Sequence, residues 1–311
     1  MIQDFEELRN SLQNAPERTL AVAAAADDQV LLAVDHAVAS GWCHAILVGD
    51  VPQIQAILAQ HGLVDRGYRF VQEADPVTAC RRAVRLARNG EAQVLMKGLV
   101  DTAFVLKAVL DREQGLRKAP VLSHVALFQI PGRPGLLCIT DAAMNIHPNL
   151  TDKAAILRNA VEVLHRLGNP NPVAVALCAV EKVNPKMPAT LDAAALVEMG
   201  RNGDFPGCRV LGPLALDNAI SVEAARHKGI TDPDAGRADI LLVPYIEVGN
   251  VLYKSLAFLA GAANAGILVG AAAPIVLTSR ADSETAKLNS IALALSICGP
   301  VEDSDREMGE S

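Results

Sequence analysis

The sequence predicts an α/β fold of two three-layer domains with a cleft between them. Three observations carry that prediction. Short apolar runs alternate with single amphipathic helices through the first third of the chain. The alternation breaks once, at two extended runs with no helix between them, and then resumes to the end. Strands that are apolar on both faces and separated by single helices describe a largely parallel sheet covered on both sides.

The elements follow in order. "TLAVAAAA" reads as a buried strand and "DDQVLLAVDHAVASG" as a helix closed by Gly41. Strand "HAILVGD", helix "VPQIQAILAQHG", strand "RFVQEA", helix "DPVTACRRAVRLARNG", strand "VLMKG" and helix "DTAFVLKAVLDREQG" continue the pattern. After Leu116 the runs "VLSHVALFQIPG" and "GLLCITDAA" meet through a Pro- and Gly-rich link, the signature of an antiparallel hairpin. Helix Thr151–Leu167, strand "PVAVALCA", helix Ala189–Met199, strand "CRVLGPLA", helix Ala219–Lys228, strand "ADILLVP" and helix Val248–Ala260 restore the alternation. Leu256–Thr278 is uncharged, yet its Gly, Asn and Pro residues divide it into a helix end, a tight connection and one buried strand rather than a membrane span. The last strand then runs into a helix through "LTSRADS". The expected domains are 1–116 plus 270–311, and 117–269 inserted between them.

Composition narrows the function. A formal charge of −7 and 3% aromatic residues argue against a nucleic-acid surface, which needs a basic face and stacking rings. The six cysteines are scattered singly, with neither zinc spacing nor a disulfide framework, and the seven histidines show no metal-ligand spacing. "MIQDFEELRN" is acidic and amphipathic rather than basic then apolar, so a cytoplasmic location is expected, without membrane partners.

Polar residues at strand ends are the candidate site, because ligands of open α/β sheets bind there. Lys97 follows the apolar "VLM" and is either an edge charge or a fixed cation for phosphate. It lies in neither a Walker loop nor a dinucleotide glycine fingerprint. Thr102, Asp217 and Asn218 read as caps, Asp141 as a turn former and Lys254 as a solvated helix cation. Asn145 and Asn250 fall at further ends. Ser279, Arg280, Asp282 and Ser283 crowd one strand-to-helix junction, where Asp282 or Ser283 can cap the helix.

The stretches "LMKG", "DAAMNIHPNLTDKAAI", "GPLALDNAIS", "VGNVLYKSLAFLAGA" and "LTSRADS", in this order and spacing, resemble the phosphate acetyltransferase and phosphate butyryltransferase family, and the butyryl branch more closely. The resemblance runs over nearly the whole chain. It implies a fold similar to that of the isocitrate and isopropylmalate dehydrogenases, and transfer of a short acyl group between coenzyme A and phosphate. It implies coenzyme A as a substrate, no tightly bound cofactor, and a homodimer or higher homo-oligomer. Carried over by motif, Ser279 would hydrogen-bond the reacting carbonyl and Arg280 would grip phosphate, with Lys97, Thr102, Asn145, Asn250 and Lys254 lining the cleft. Two departures stand out. The acetyl branch has a serine where Lys97 stands, and an aspartate that takes the thiol proton where this chain has Ala286. Asp282 is then the nearest carboxylate for that role. A phosphate acetyltransferase, a metal- and nicotinamide-dependent dehydrogenase and a non-catalytic coenzyme A-binding protein are the alternatives.

Overall fold

The computed structural model describes residues 1–279 and 282–298. The first half contains α1 (Phe5–Asn10), β1 (Thr19–Ala23), α2 (Asp28–Ala39), β2 (His44–Gly49), α3 (Val51–Gln60), β3 (Arg69–Gln72), α4 (Pro76–Arg88), β4 (Val94–Lys97) and α5 (Thr102–Val109). Aspartate starts all five of these helices. The carboxylates of Asp4, Asp27, Asp50, Asp75 and Asp101 accept the backbone N–H groups of Glu7, Val30, Gln53, Thr78 and Ala103, donors that the first turn leaves unpaired. Asp101, not Thr102, is therefore the cap of α5.

The second half follows with β5 (Ser123–Gln129), β6 (Leu137–Thr140), α6 (Leu150–Arg166), β7 (Val173–Leu177), α7 (Pro188–Arg201), β8 (Arg209–Leu214), α8 (Leu216–Ile220), α9 (Val222–His227), β9 (Ile240–Leu242) and α10 (Ile246–Lys254). A wide turn at Ser255–Leu259 leads to β10 (Ala263–Val269), β11 (Ile275–Val276) and α11 (Glu284–Ser296).

Three expectations change. The helix expected over Ala219–Lys228 is two helices, because the Ser221 side chain accepts from Ala224 N–H and starts a new one. The wide turn replaces the end of the helix expected to reach Ala260. Leu256–Thr278 holds two strands, since Gly270 sits at φ +92°, a conformation that turns the chain between β10 and β11. The hairpin of β5 and β6 forms as expected.

The eleven strands among the described residues join one sheet in the order β3-β2-β1-β4-β11-β10-β5-β6-β9-β7-β8. β11 runs parallel to β4, β10 antiparallel to β11, β5 antiparallel to β10, and β6 antiparallel to β5. Three reversals make the parallel strands of the two halves run in opposite directions. The seven-pair ladder from Ala263↔Gln129 to Val269↔Ser123 joins them.

The faces of this sheet differ. On one, a single core runs through both halves, from Leu20, Leu47 and Met96 through Ile267 and Leu127 to Ile240 and Ala174, covered by α2, α6 and α11. On the other, the apolar residues fall into two clusters. Ala21, Leu95, Ile275 and Leu268 pack with α4 and α5, whereas Ala126, Phe128, Ile139 and Val175 pack with α8 and α10. The two clusters part at the β10–β5 ladder, where the sequence places the expected cleft.

β11 ends its pairing at Ile267↔Val276, so the next amide of β10, Gly266 N–H, has no strand beside it. Ser290 of α11 fills that place: its Oγ accepts from Gly266 N–H at 2.9 Å and donates to Ala286 O at 2.7 Å. Ser290→Ala is expected to leave a buried donor unpaired and lower unfolding stability by about 1–3 kcal/mol. Guanidinium unfolding checks this, and an unchanged midpoint would show that Ser290 does not hold the strand.

Candidate active site

The cleft floor is the β10–β5 ladder seen from its divided face. His124, Ala126 and Phe128 point to this side, with Gly266 beside Ala126 in register. The Tyr253 ring of α10 packs on both His124 and Phe128, with centroids 5.9 and 5.1 Å apart. Its hydroxyl donates to Asn264 Oδ1 at 3.0 Å. Burial, and then the negative charge of Asp282, push the Tyr253 hydroxyl well above the ordinary phenol range, so it is a neutral donor. Gly266 is required by close approach: a Cβ there would stand 2.8 Å from His124 Nε2.

One wall comes from the end of β6. Asp141 Oδ1 accepts from the N–H groups of Ala143 and Met144 at 2.9 Å, and Oδ2 accepts from Asn145 Nδ2 at 2.6 Å. Asn145 also donates to Leu122 O at 2.8 Å, which ties this turn to the start of β5. α10 lies directly on the turn. A Cβ at Gly249 would stand 2.8 Å from both Ala142 Cα and Asp141 O, so only glycine lets the helix so close. Asn250 is exposed beside it and donates to Ala142 O at 3.5 Å, while Lys254 is exposed at the last turn of α10.

The opposite wall carries Lys97. It alternates with Leu95, so it faces the divided side, and it is buried. Nζ donates to Gly98 O at 3.2 Å and to Val100 O at 3.3 Å. Its charge reaches Cys80 of α4, where it opposes the burial that pushes the thiol up to about 11. Thr102 is half-buried at the start of α5.

The junction of β11 and α11 is a clamped turn. Asp282 Oδ2 accepts from Ser279 N–H at 2.7 Å, and Asp282 N–H donates back to Ser279 O at 3.2 Å. Beneath it the buried Lys287 ammonium donates to Asp282 O at 2.6 Å and Ser279 O at 3.5 Å. Ser283, whose Oγ accepts from Ala286 N–H, is the helix cap, which leaves Asp282 to hold the turn. Ser279 is exposed, and Arg280 lies outside the described residues.

Ser279 and Asp282 share the clamped turn and Asn145 lies in the turn after β6, whereas Lys97 ends β4, Thr102 starts α5 and Asn250 and Lys254 lie on α10. Sequence reasoning passed over His124, Tyr253 and Lys287. A signal existed for two of them: His124 interrupts an otherwise apolar strand, and Lys287 interrupts the apolar run of its helix.

A motif order that spans both walls and the clamped turn is what a family comparison weighs. The pattern described as phosphate acetyl/butaryl transferase matches residues 69–295, which takes in every element lining the cleft. The chain belongs to the phosphate acetyl/butaryl transferase family. It is 48% identical over 299 residues to the phosphate butyryltransferase of Clostridium acetobutylicum, covering 96% of this chain and 99% of that one. It is 50% identical over 278 residues to the probable phosphate butyryltransferase of Bacillus subtilis, covering 89% and 92%. The crystal structure of a branched-chain phosphotransacylase from Enterococcus faecalis V583 superposes with a TM-score of 0.79 at 36% identity, covering 90% of this chain and 98% of that one. The family membership and α/β architecture expected from the sequence are borne out.

In this family member the buried Lys287 ammonium is a charged donor to both ends of the Ser279–Asp282 turn. Hydrogen bonds to a charged group contribute about 1.5–3 kcal/mol, roughly tenfold or more in rate if the turn must hold its shape during reaction. Lys287→Met is expected to lower kcat/KM by at least about tenfold while the far-ultraviolet circular dichroism stays native. Native activity in the folded variant would show that the clamp is dispensable.

Proposed function

We propose that this chain is a phosphate butyryltransferase, which converts butyryl-CoA and phosphate to butyryl phosphate and free coenzyme A, and runs the reverse reaction. The observation that carries the reading is full-length similarity to relatives of that name, at 48% and 50% identity. The cleft supports it, with a hydroxyl, a fixed cation and neutral donors at the meeting of two half-sheets.

The chemistry divides among the residues as follows. Phosphate attacks the thioester carbonyl, the carbonyl oxygen gains charge, and the coenzyme A thiolate departs. Ser279 hydrogen-bonds the developing oxyanion from the clamped turn, where Asp282 and Lys287 limit its motion. Arg280 and Lys97 neutralise phosphate together. Thr102, Asn145, Asn250 and Lys254 line the path of the substrates. An acetyl-specific enzyme is the second reading, and a 42%-identical phosphate acetyltransferase from Thermotoga maritima keeps it in view.

The cleft separates two units, 1–116 with 270–311 and 117–269, as part of the same reading. The enzyme works as a homo-oligomer in the cytoplasm without a tightly bound cofactor. Among the described residues, exposed Val251, Phe258 and Leu259 on α10 and the turn after it support a subunit contact, and no helix is long and apolar enough to cross a membrane.

The test is release of free coenzyme A from butyryl-CoA and from acetyl-CoA, with and without phosphate. Phosphate-dependent release, faster with butyryl-CoA, is expected; equal release without phosphate would indicate a thioesterase and overturn the reading. In the same assay Lys97→Met and Arg280→Met should each raise KM for phosphate far more than KM for acyl-CoA. The double variant should lose less than the product of the two, because the residues share one ligand. An unchanged phosphate KM in Lys97→Met would return that lysine to a structural role.

A further inference from the structure

The reaction needs a group to take the coenzyme A thiol proton in one direction and return it in the other. At the position where the resemblance gives the acetyl branch an aspartate for this step, this chain has Ala286. The neighbouring carboxylates hold turns: one oxygen of Asp282 accepts from Ser279 N–H, and both Asp141 oxygens accept within the turn after β6.

His124 is different. It is 5% exposed on the divided face of the sheet, and its Nδ1 is buried without a hydrogen-bond partner among the described residues. Buried polar atoms in native structures are almost always paired, so an unpaired imidazole points to a partner that arrives with the substrate. The surroundings hold the ring rather than neutralise it. Tyr253 packs against it, and Gly266 leaves it room that any side chain would take. The linkage to the clamped turn is direct: Gly266 N–H is bound by Ser290, on the same helix as Lys287, which holds Ser279 O.

We propose that His124 is the general base and acid of this enzyme. In the thiolysis direction the imidazole takes the proton from coenzyme A. The thiolate forms the C–S bond to the acyl carbonyl, and the C–O bond breaks to release phosphate, which carries away the electron pair. The proton then leaves His124 to phosphate or water. In the phosphorolysis direction the imidazole takes the proton that phosphate loses as its oxygen attacks the carbonyl, and passes it to the departing thiolate. The groups facing the ring are Asp141 from the end of β6, Asp282 from the clamped turn and Tyr253 from α10. Burial lowers the His124 pKa, and the two carboxylates pull it back up. The ring is therefore neutral near pH 7 and able to accept.

The experiment is the pH dependence of kcat/KM for coenzyme A with butyryl phosphate, followed by thioester absorbance. His124→Asn is expected to lose about a hundredfold at pH 7. Its activity should then climb roughly tenfold per pH unit toward the thiol's own ionisation near about 8.5, while the native profile is flat there. A loss that is the same at every pH would overturn the proposal and leave His124 a packing residue. Should His124→Asn not fold, Gly266→Ala, which presses a methyl against Nε2, serves as the second variant. It should show the same steepening in milder form, and a profile parallel to the native one would overturn the proposal equally.

Discussion

The antiparallel ladder between β10 and β5 is the constraint on which the rest depends. Everything on the β4 side of it runs one way and everything on the β6 side runs the other. Helices that cross over parallel strands pack on one face or the other. On the continuous face they meet and form one core across both halves. On the divided face α4 and α5 cover one half, α8 and α10 the other, and the ladder between them is left with His124, Gly266 and the edge of Tyr253. The cleft is thus a consequence of strand direction.

Glycine makes that floor usable. Gly266 admits the imidazole, and Gly249 lets α10 rest on the turn after β6, which brings Tyr253 over the ladder. The short β11 has the complementary effect. By ending two pairs after it starts, it exposes Gly266 N–H to Ser290 and brings α11 beside the sheet. The turn that carries Ser279 is therefore pinned from three sides, by Asp282, by Lys287 and by the anchored helix.

Much of the fold was legible because each signal was local. Apolar runs such as Val94–Met96 declare buried strands, and aspartates such as Asp27, Asp50 and Asp75 declare helix starts. The strand β10 was hidden because its alternation of Ala, Asn, Gly and Ile lacks a periodic polar face and its partner lies far away at Ser123–Gln129. The break at Ser221 was hidden because a cap inside an apolar helical pattern looks like any serine. At the site, the motif residues were visible as a cluster in sequence. His124 and Lys287 were not, because one sits within an apolar strand and the other within an apolar helix. Only the fold shows that the first turns to the divided face of the sheet and that the second reaches back beneath the turn.

The central claim is that the ladder between the half-sheets is the floor of the substrate site. Amide hydrogen exchange, measured by mass spectrometry with and without saturating coenzyme A and butyryl phosphate, tests it most directly. The account predicts that segments Leu122–Val125, Asp141–Asn145, Gly249–Tyr253 and the first turn of α11 slow together on binding, although they are distant in sequence. Protection confined to the outer strands β3 or β8, with these four segments unchanged, would contradict it.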